Sequence, residues 1–239
     1  MTSDVVAVLI TGDPASQTRE KYGDYGQLFK VLLDREGLTW DFFDTRQHQF
    51  PEDISKYKAF IITGSASTAH EDLPWILELK NFVRHLHRGQ RKILGVCFGH
   101  QVLAGALGGR TDVNPEGWEL GLHRLQWRPE TLVGTPLEAV PLPQTVLEIH
   151  RDHVVTLPEG ATILASTPQT PVQAFLLGET ILGIQGHPEF FNDIVEDLVA
   201  SRSKSGVIPA ESAENANRTL QVQPTRKEWV TWLGKFVFG

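Results

Sequence analysis

The chain contains one cysteine, Cys97, within the sequence Gly95-Val96-Cys97-Phe98-Gly99. Gly-x-Cys-x-Gly matches the layout of a nucleophile elbow, in which small residues permit a sharp turn from a strand into a helix and expose the nucleophile. The N-terminus of that helix would favour the thiolate, and the N–H of Phe98 could stabilise an oxyanion. The pattern predicts a thiol nucleophile; the alternative is a structural cysteine, because free cysteines are often buried.

A histidine and a glutamate that could assist this thiol lie in a Gly-His-Pro-Glu sequence beginning at Gly186. The apolar run 181–185 precedes it, so His187 is expected at the carboxyl end of a strand. A thiol nucleophile needs a base, and the base needs an orienting group. We therefore predict His187 as the base for Cys97 and Glu189 as its orienting partner. The histidines show no convincing metal-ligand spacing, and neither a metal nor a cofactor is expected.

The turn that begins Thr63-Gly64-Ser65 is a third candidate, because it follows the apolar run 59–63. A glycine-containing turn at the carboxyl end of a strand can offer backbone N–H groups to an oxyanion. An ordinary connecting turn is the alternative.

The elements that must position these residues follow from the spacing of apolar side chains. In the first half, strands are predicted at 5–10, 40–43, 59–63 and 92–96, and helices at 28–35, 74–88 and 98–107. In the second half, short strands are predicted at 122–127, 146–149, 154–156, 162–166, 172–177 and 181–185, and helices at 190–200 and 227–236. This order predicts an α/β fold: a three-layer, doubly wound, mostly parallel sheet with flanking helices and added antiparallel strands.

Composition limits the class of protein. The 239 residues are 41% hydrophobic and 21% charged, which is ordinary for a globular protein and excludes disorder of the whole chain. A formal net charge of -7 argues against a nucleic-acid partner. We expect one domain over 1–239, as a monomer or homodimer, in which the polar segment 201–219 forms a mobile loop. No signal peptide or membrane span is apparent, so a cytoplasmic protein without a membrane partner is expected.

The residues around Cys97 and His187 together resemble the class I glutamine amidotransferase family. Cys-Phe-Gly-His-Gln joins a predicted strand to a predicted helix, and His-Pro-Glu begins 90 residues after the cysteine. The resemblance runs from Val5 to about Ala200 and leans towards the branch near the glutaminase domain of GMP synthase, which includes plant γ-glutamyl peptidases. It implies the class I glutamine amidotransferase fold with a flavodoxin-like core.

The resemblance also implies hydrolysis of a γ-glutamyl amide, such as glutamine or a glutathione-type conjugate. Cys97 would attack the side-chain carbonyl to form a γ-glutamyl thioester, from which water releases glutamate. His187 would take the thiol proton and later donate one to the leaving amine, and Glu189 would orient His187. The implied oxyanion hole comprises backbone N–H groups near Gly64, Ser65 and Phe98.

Four residues are implied by the same resemblance to bind substrate. Gln101 follows the elbow, and Trp118 and Glu119 lie in a Gly-Trp-Glu-Leu-Gly segment that matches part of the pocket wall. Asp152 belongs to a His-x-Asp-x-Val match that borders the site in relatives. The alternative for Asp152 is a carboxylate that caps a turn.

The sequence defines the substrate and any partner protein less closely than it defines the reaction. The resemblance occupies most of the chain, which leaves no room for a synthase domain, and no phosphate-binding loop of the G-x-x-x-x-G-K-[ST] type is present. We expect a hydrolase that takes a small γ-glutamyl substrate. The alternatives are a glutaminase subunit that supplies ammonia to a separate synthase, and a catalytically silent binding or regulatory module. A papain-like protease or a dienelactone-hydrolase-like enzyme fits the order of the residues less well.

Overall fold

The structure is a computed structural model that describes residues 4–239. Within this range the strands are β1 (Val5–Ile10), β2 (Thr39–Asp44), β3 (Ala59–Ile62), β4 (Lys92–Val96), β5 (Arg110–Val113), β6 (Glu119–Arg124), β7 (Gln126–Trp127), β8 (Thr145–His150), β9 (Asp152–Thr156), β10 (Ala161–Ser166), β11 (Ala174–Leu177) and β12 (Ile181–Ile184). The α-helices are α1 (Ser16–Tyr22), α2 (Tyr25–Leu33), α3 (Pro74–Arg88), α4 (Phe98–Ala106), α5 (Asn192–Lys204), α6 (Ala210–Thr219) and α7 (Arg226–Phe238).

An eight-stranded sheet runs through the centre in the order β2-β1-β3-β4-β12-β11-β10-β7. The first five strands are parallel, and β11, β10 and β7 extend the sheet by antiparallel pairing. Two small antiparallel sheets, β5-β9 and β6-β8, lie outside it. The predicted fold class, a mostly parallel sheet with added antiparallel strands, is confirmed.

Helices cover both faces of the central sheet because its strands are apolar on both sides. In β1, Val6 and Val8 join a core formed with α2 and α7, whereas Ala7 and Leu9 join the opposite core, formed with α3 and α4. In α7 the packed residues include Trp229 and Trp232, which are fully buried. The predicted three layers are therefore helices, sheet and helices.

The segment 201–219 is not a loop, so this prediction was wrong. Helix α5 continues to Lys204, and α6 occupies Ala210–Thr219. The segment is mostly polar, so its composition did not indicate the narrow buried face of the helix, which includes Ala213 and Ala216. The Oγ1 of Thr219 also accepts the N–H of Leu122 at 2.8 Å, which fastens α6 to β6. Small side chains allow the helix to lie close to this strand.

Three elements in the first half also differ from the prediction. Helix α2 covers Tyr25–Leu33 instead of 28–35, and its packed face is formed by Leu28, Phe29, Leu32 and Leu33, whereas Val31 is exposed. Asp34 has extended backbone angles and ends the helix there. Helix α1 and strand β5 were not predicted, because both are short and mostly exposed and so lack an apolar pattern.

Candidate active site

Cys97 occupies the turn between β4 and α4. Its backbone has φ 53° and ψ −107°, a conformation that L residues seldom adopt and that is found at strained functional turns. The N–H of Cys97 donates to the carbonyl of Ile184 at 2.8 Å, which ties the turn to the end of β12. Helix α4 begins at Phe98, so its N-terminal N–H groups lie beside the thiol.

The two glycines of the elbow are required by close backbone approach. A Cβ on Gly95 would lie 2.5 Å from the carbonyl oxygen of Gly99, and a Cβ on Gly99 would lie 2.4 Å from that of Ile62. Both distances are far below van der Waals contact. The helix can therefore turn back over the sheet only because neither position has a side chain.

His187 and Glu189 follow β12 and lie against this elbow. The Nδ1 of His187 lies 2.7 Å from Oε1 of Glu189, and both side chains are almost fully buried. A carboxylate accepts, so Nδ1 donates to Glu189, and Nε2 remains for another partner. Cys97 lies close to the ring, because a Cβ on Gly64 would be within 4 Å of both Nε2 of His187 and Cβ of Cys97. Phe190 stacks on the imidazole with a centroid distance of 3.9 Å and an interplanar angle of 9°.

The electrostatics of His187 favour the protonated ring. Burial lowers its pKa, but the charge of Glu189, the hydrogen bond to it and the neighbouring Cys97 raise it more, to about 10. The arrangement is that of a thiol, an imidazole and a carboxylate in series, which can move one proton between sulfur and nitrogen.

The turn at Gly64 lies directly against this pair. A Cβ on Gly64 would lie 2.9 Å from Cε1 of His187 and 3.7 Å from Cβ of Cys97. Buried hydrogen bonds hold the turn, since Oγ1 of Thr11 donates to the carbonyls of Thr63 and Gly64, each at 2.9 Å. The structure thus brings the candidate oxyanion residue Gly64 close to Cys97, which Phe98 follows directly in the chain, and Ser65 lines the neighbouring cleft.

A cleft of about 440 Å³ opens beside the thiol, a size typical of small-molecule sites. Its lining includes three of the four residues predicted to bind substrate, Gln101, Trp118 and Asp152. The lining also includes two arginines, Arg151 and Arg202. A smaller cavity of about 20 Å³ lies between Cys97, His187 and Tyr25, with room for one water molecule.

Glu119 does not line the cleft. Its carboxylate lies behind the wall and accepts hydrogen bonds from Thr167 and Thr170, each at 2.6 Å, and from Gln173 at 2.8 Å. Burial raises the pKa of Glu119, but its contact with His150 and these hydrogen bonds lower it to about 2. Its role in this structure is to hold the wall of the cleft, because no oxygen is left to face a ligand.

His150 connects Glu119 to the cleft as a buried cation. Its Nε2 lies 3.1 Å from Glu119 and 3.3 Å from Glu148, and its Nδ1 lies 3.0 Å from the carbonyl of Asp152. Both ring nitrogens therefore face acceptors. Burial lowers the pKa of His150, but the two carboxylates raise it to about 10. The carbonyl of Asp152 also accepts from Nε2 of Gln101 at 2.8 Å, so this network fixes two residues of the cleft.

Four residues of the site were not predicted from the sequence. Tyr25 and Phe190 contribute aromatic walls, and Arg202 reaches the cleft from α5, where its guanidinium lies 5.6 Å from the ring centroid of Trp118. Arg226 contacts the backbone that follows His187. None of them belongs to a local motif. The adjacency of Phe190 to the His-Pro-Glu sequence is the one signal that could have suggested a role.

Among residues 4–239, no helix is both long and apolar enough to cross a membrane. No group of three or more His, Cys, Asp or Glu side chains in the same range is arranged to hold a metal ion.

The sequence matches the family model of glutamine amidotransferase class-I over residues 25–196. Among curated proteins, gamma-glutamyl peptidase 4 of Arabidopsis thaliana is 36% identical over 231 residues, which cover 93% of this chain and 91% of the relative. GMP synthase [glutamine-hydrolyzing] of Porphyromonas gingivalis is 33% identical over 148 residues, which cover 61% of this chain and 27% of the synthase.

A solved glutamine amidotransferase from Thermotoga maritima has a similar fold. The TM-score is 0.75, and the superposition covers 99% of each chain at 20% sequence identity. At this identity the likeness concerns the fold alone.

Proposed function

Since this chain belongs to the class I glutamine amidotransferase family, we propose that it is a cysteine-dependent γ-glutamyl hydrolase that releases glutamate from a γ-glutamyl amide. The observation that carries the proposal is the series Cys97, His187 and Glu189, with the thiol on a strained elbow and the imidazole bound to the carboxylate at 2.7 Å. This series forms a nucleophile, its base and an orienting group.

In the proposed reaction, the sulfur of Cys97 attacks the side-chain carbonyl carbon of the γ-glutamyl group. The carbonyl oxygen gains negative charge, which the N–H of Phe98 and the turn at Gly64 and Ser65 would stabilise. His187 delivers a proton to the leaving amine as the C–N bond breaks, which leaves a γ-glutamyl thioester. Water then attacks the thioester with His187 as base, and the C–S bond breaks to give glutamate and free thiol.

The cavity of about 20 Å³ between Cys97 and His187 supports the hydrolytic half of this reaction. It has the volume of a single water molecule and borders both the sulfur and the imidazole. Water admitted there would be within reach of the base. Transfer of the glutamyl group to another amine would need space for a larger acceptor at this position.

The cleft supports a γ-glutamyl peptide as the substrate rather than glutamine alone. A cleft of about 440 Å³ exceeds what glutamine requires and suits a larger ligand. Guanidinium groups recognise carboxylates, and two arginines, Arg151 and Arg202, line the cleft. A peptide of the glutathione type carries two carboxylates, whereas glutamine carries one. Trp118 offers an apolar surface for a substituent on the peptide.

A glutaminase subunit that supplies ammonia to a synthase is the second candidate. The observation that favours it is the match to part of a GMP synthase, which extends over 61% of this chain. In that case the isolated chain would release little glutamate from any substrate and would become active when a synthase binds. A silent binding module would bind such ligands without turnover.

The test is glutamate release by the purified protein from glutamine, glutathione and a glutathione S-conjugate, with Cys97→Ser as control. We expect release from the peptide substrates and none with Cys97→Ser. Release from glutamine only, or only after a synthase is added, would favour the second candidate. Binding of all three ligands without release would indicate a silent module and contradict the proposal.

A further inference from the structure

The first residue of α7, Arg226, contacts the segment that carries the base of the candidate site. Its Nη1 lies 3.0 Å from the carbonyl oxygen of Pro188, 3.1 Å from that of Glu189 and 3.3 Å from that of Phe190. One guanidinium nitrogen, which carries two hydrogens, thus lies within hydrogen-bond distance of three successive carbonyls immediately after His187. No regular secondary structure satisfies these carbonyls, because α5 begins only at Asn192.

The guanidinium is itself held from several directions. It lies over the ring of Phe191, 4.3 Å from the centroid. Just before α7, Thr225 and Thr145 exchange hydrogen bonds in both directions, with the N–H of each at 3.0 Å from Oγ1 of the other. Arg226 is therefore a fixed group on a fixed helix end, half-buried and poorly able to reorient.

The backbone segment that Arg226 binds carries the two side chains that orient the imidazole of His187 towards Cys97. Glu189 orients the imidazole through Nδ1, and Phe190 stacks on the ring. Both side chains project from the backbone that Arg226 holds. A loosened backbone would misalign the carboxylate and the aromatic ring together, and with them Nε2 of His187.

We propose that Arg226 is a positioning residue: it clamps the backbone from Pro188 to Phe190 and so holds the imidazole in line with the thiol. This inference rests on the proposed function, in which His187 serves Cys97. A lysine would preserve the charge but has no planar guanidinium that could stack on the ring of Phe191 and fix the direction of the donor, so charge alone would not restore the clamp. The C-terminal helix thereby contributes to the active site without touching substrate.

The experiment compares Arg226→Met, Arg226→Lys and Lys227→Met. Lys227 is the next residue on the same helix turn and is exposed, so its replacement removes one charge at nearly the same place without breaking the clamp. Two readouts are used: kcat and KM for glutamate release, and the rate at which iodoacetamide alkylates Cys97. Cys97 is the one cysteine of the chain, so alkylation reports on this thiol alone and needs no substrate.

We expect Arg226→Met to lower kcat between about 10- and 100-fold, as for a small misplacement of a catalytic group, with KM changed less than about twofold. Alkylation at neutral pH should slow at least about fivefold in the folded protein and be unchanged in urea, where the thiols are equivalent. Arg226→Lys should recover only a minor part of both losses, and Lys227→Met should resemble the wild type.

The inference is overturned if Arg226→Met keeps the wild-type kcat and alkylation rate below its melting temperature, or if it raises KM alone. Full recovery by Arg226→Lys would also contradict it, because charge and not geometry would then be responsible. If Arg226→Met does not fold, Arg226→Lys is judged by the same two readouts. If the wild type releases no glutamate, the proposed function fails, while the alkylation rates still decide the role of Arg226.

Discussion

Replacement of Gly64 by alanine is expected to impair catalysis without unfolding the protein. The backbone of Gly64 does not have positive φ, so alanine can adopt its conformation without strain. The one serious contact of the new methyl group would be Cε1 of His187 at 2.9 Å. Nothing else in the substitution disturbs the fold.

The size of the effect follows from this distance. Ordinary contact begins at about 3.4 Å, so the imidazole or the turn must move by about 0.5 Å. The ring has little freedom to do so, because Glu189 holds Nδ1 and Phe190 stacks at 3.9 Å. A misplacement of about 1 Å can cost about 100-fold in rate. Half that displacement suggests a loss of about tenfold in kcat, or about 1.4 kcal/mol in activation free energy.

Gly105→Ala is the matched control. Gly105 lies within α4, and its new methyl group would meet only Cε of Lys80, at 3.9 Å. Alanine favours helix over glycine by about 0.5–1 kcal/mol, so this variant should be as active as the wild type and slightly more stable. The assay is kcat for glutamate release at saturating substrate, together with the melting temperature of each variant.

Three results would refute this reasoning. A full kcat in Gly64→Ala would mean that His187 is not held where the structure has it. Equal losses in Gly64→Ala and Gly105→Ala would indicate a general effect of the substitution. A large fall in melting temperature for Gly64→Ala would show that the turn matters to folding rather than to the reaction.

Four further outcomes are expected. His187→Ala should lower kcat by several orders of magnitude and Glu189→Gln by less, as for a base and its orienting group; equal losses would assign Glu189 a larger part. Arg202→Met should lower kcat/KM for glutathione at least about tenfold, because a charge-assisted hydrogen bond to a carboxylate contributes about 1.5–3 kcal/mol; an unchanged value would remove Arg202 from substrate binding. Glu119→Gln should destabilise the protein by about 1–3 kcal/mol in urea unfolding, because the buried His150 loses one of its two carboxylate partners, whereas the exposed Glu214→Gln should cause little change. The pKa of His187 is raised to about 10, so the stability it confers is complete below about pH 6.5 and is lost as the pH rises through 10; urea unfolding of the wild type should follow this trend and that of His187→Gln less steeply.

The fold could be predicted largely from the sequence because its central strands are continuous apolar runs with turn residues at their ends. Runs such as 5–10 and 92–96 are buried on both faces, so their composition alone distinguishes them. Helix α6 could not be predicted in this way. Its buried stripe consists of alanines, which carry little hydrophobic signal, and its stability depends on how closely β6 can approach.

The residues of the candidate site also fall into two groups: those that a sequence motif identifies, and those whose role only the packing determines. Cys97, His187 and Glu189 are recognisable because each lies in a short motif whose glycines or proline report local backbone geometry. Glu119 was assigned to substrate binding from a matching segment. Its carboxylate faces His150, Thr167 and Thr170 only because β8 and the loop after β10, which carry these residues, pack against β6. A pattern in sequence cannot indicate which side of a wall a carboxylate occupies.

The sequence by itself determined the elbow and the strands that carry it, because the strands are apolar runs and a Cβ at Gly95 would clash with the carbonyl of Gly99 in the same turn. The need for glycine at position 99 comes from the packed sheet, because a Cβ there would meet Ile62 of β3. Only the tertiary structure decided that Arg202 faces the cleft and that Arg226 clamps the segment after His187. These residues reach the site through helices α5 and α7, whose positions are set by burial of their apolar faces. Their charged side chains carry no pattern of their own, so their contacts exist only once the core is packed.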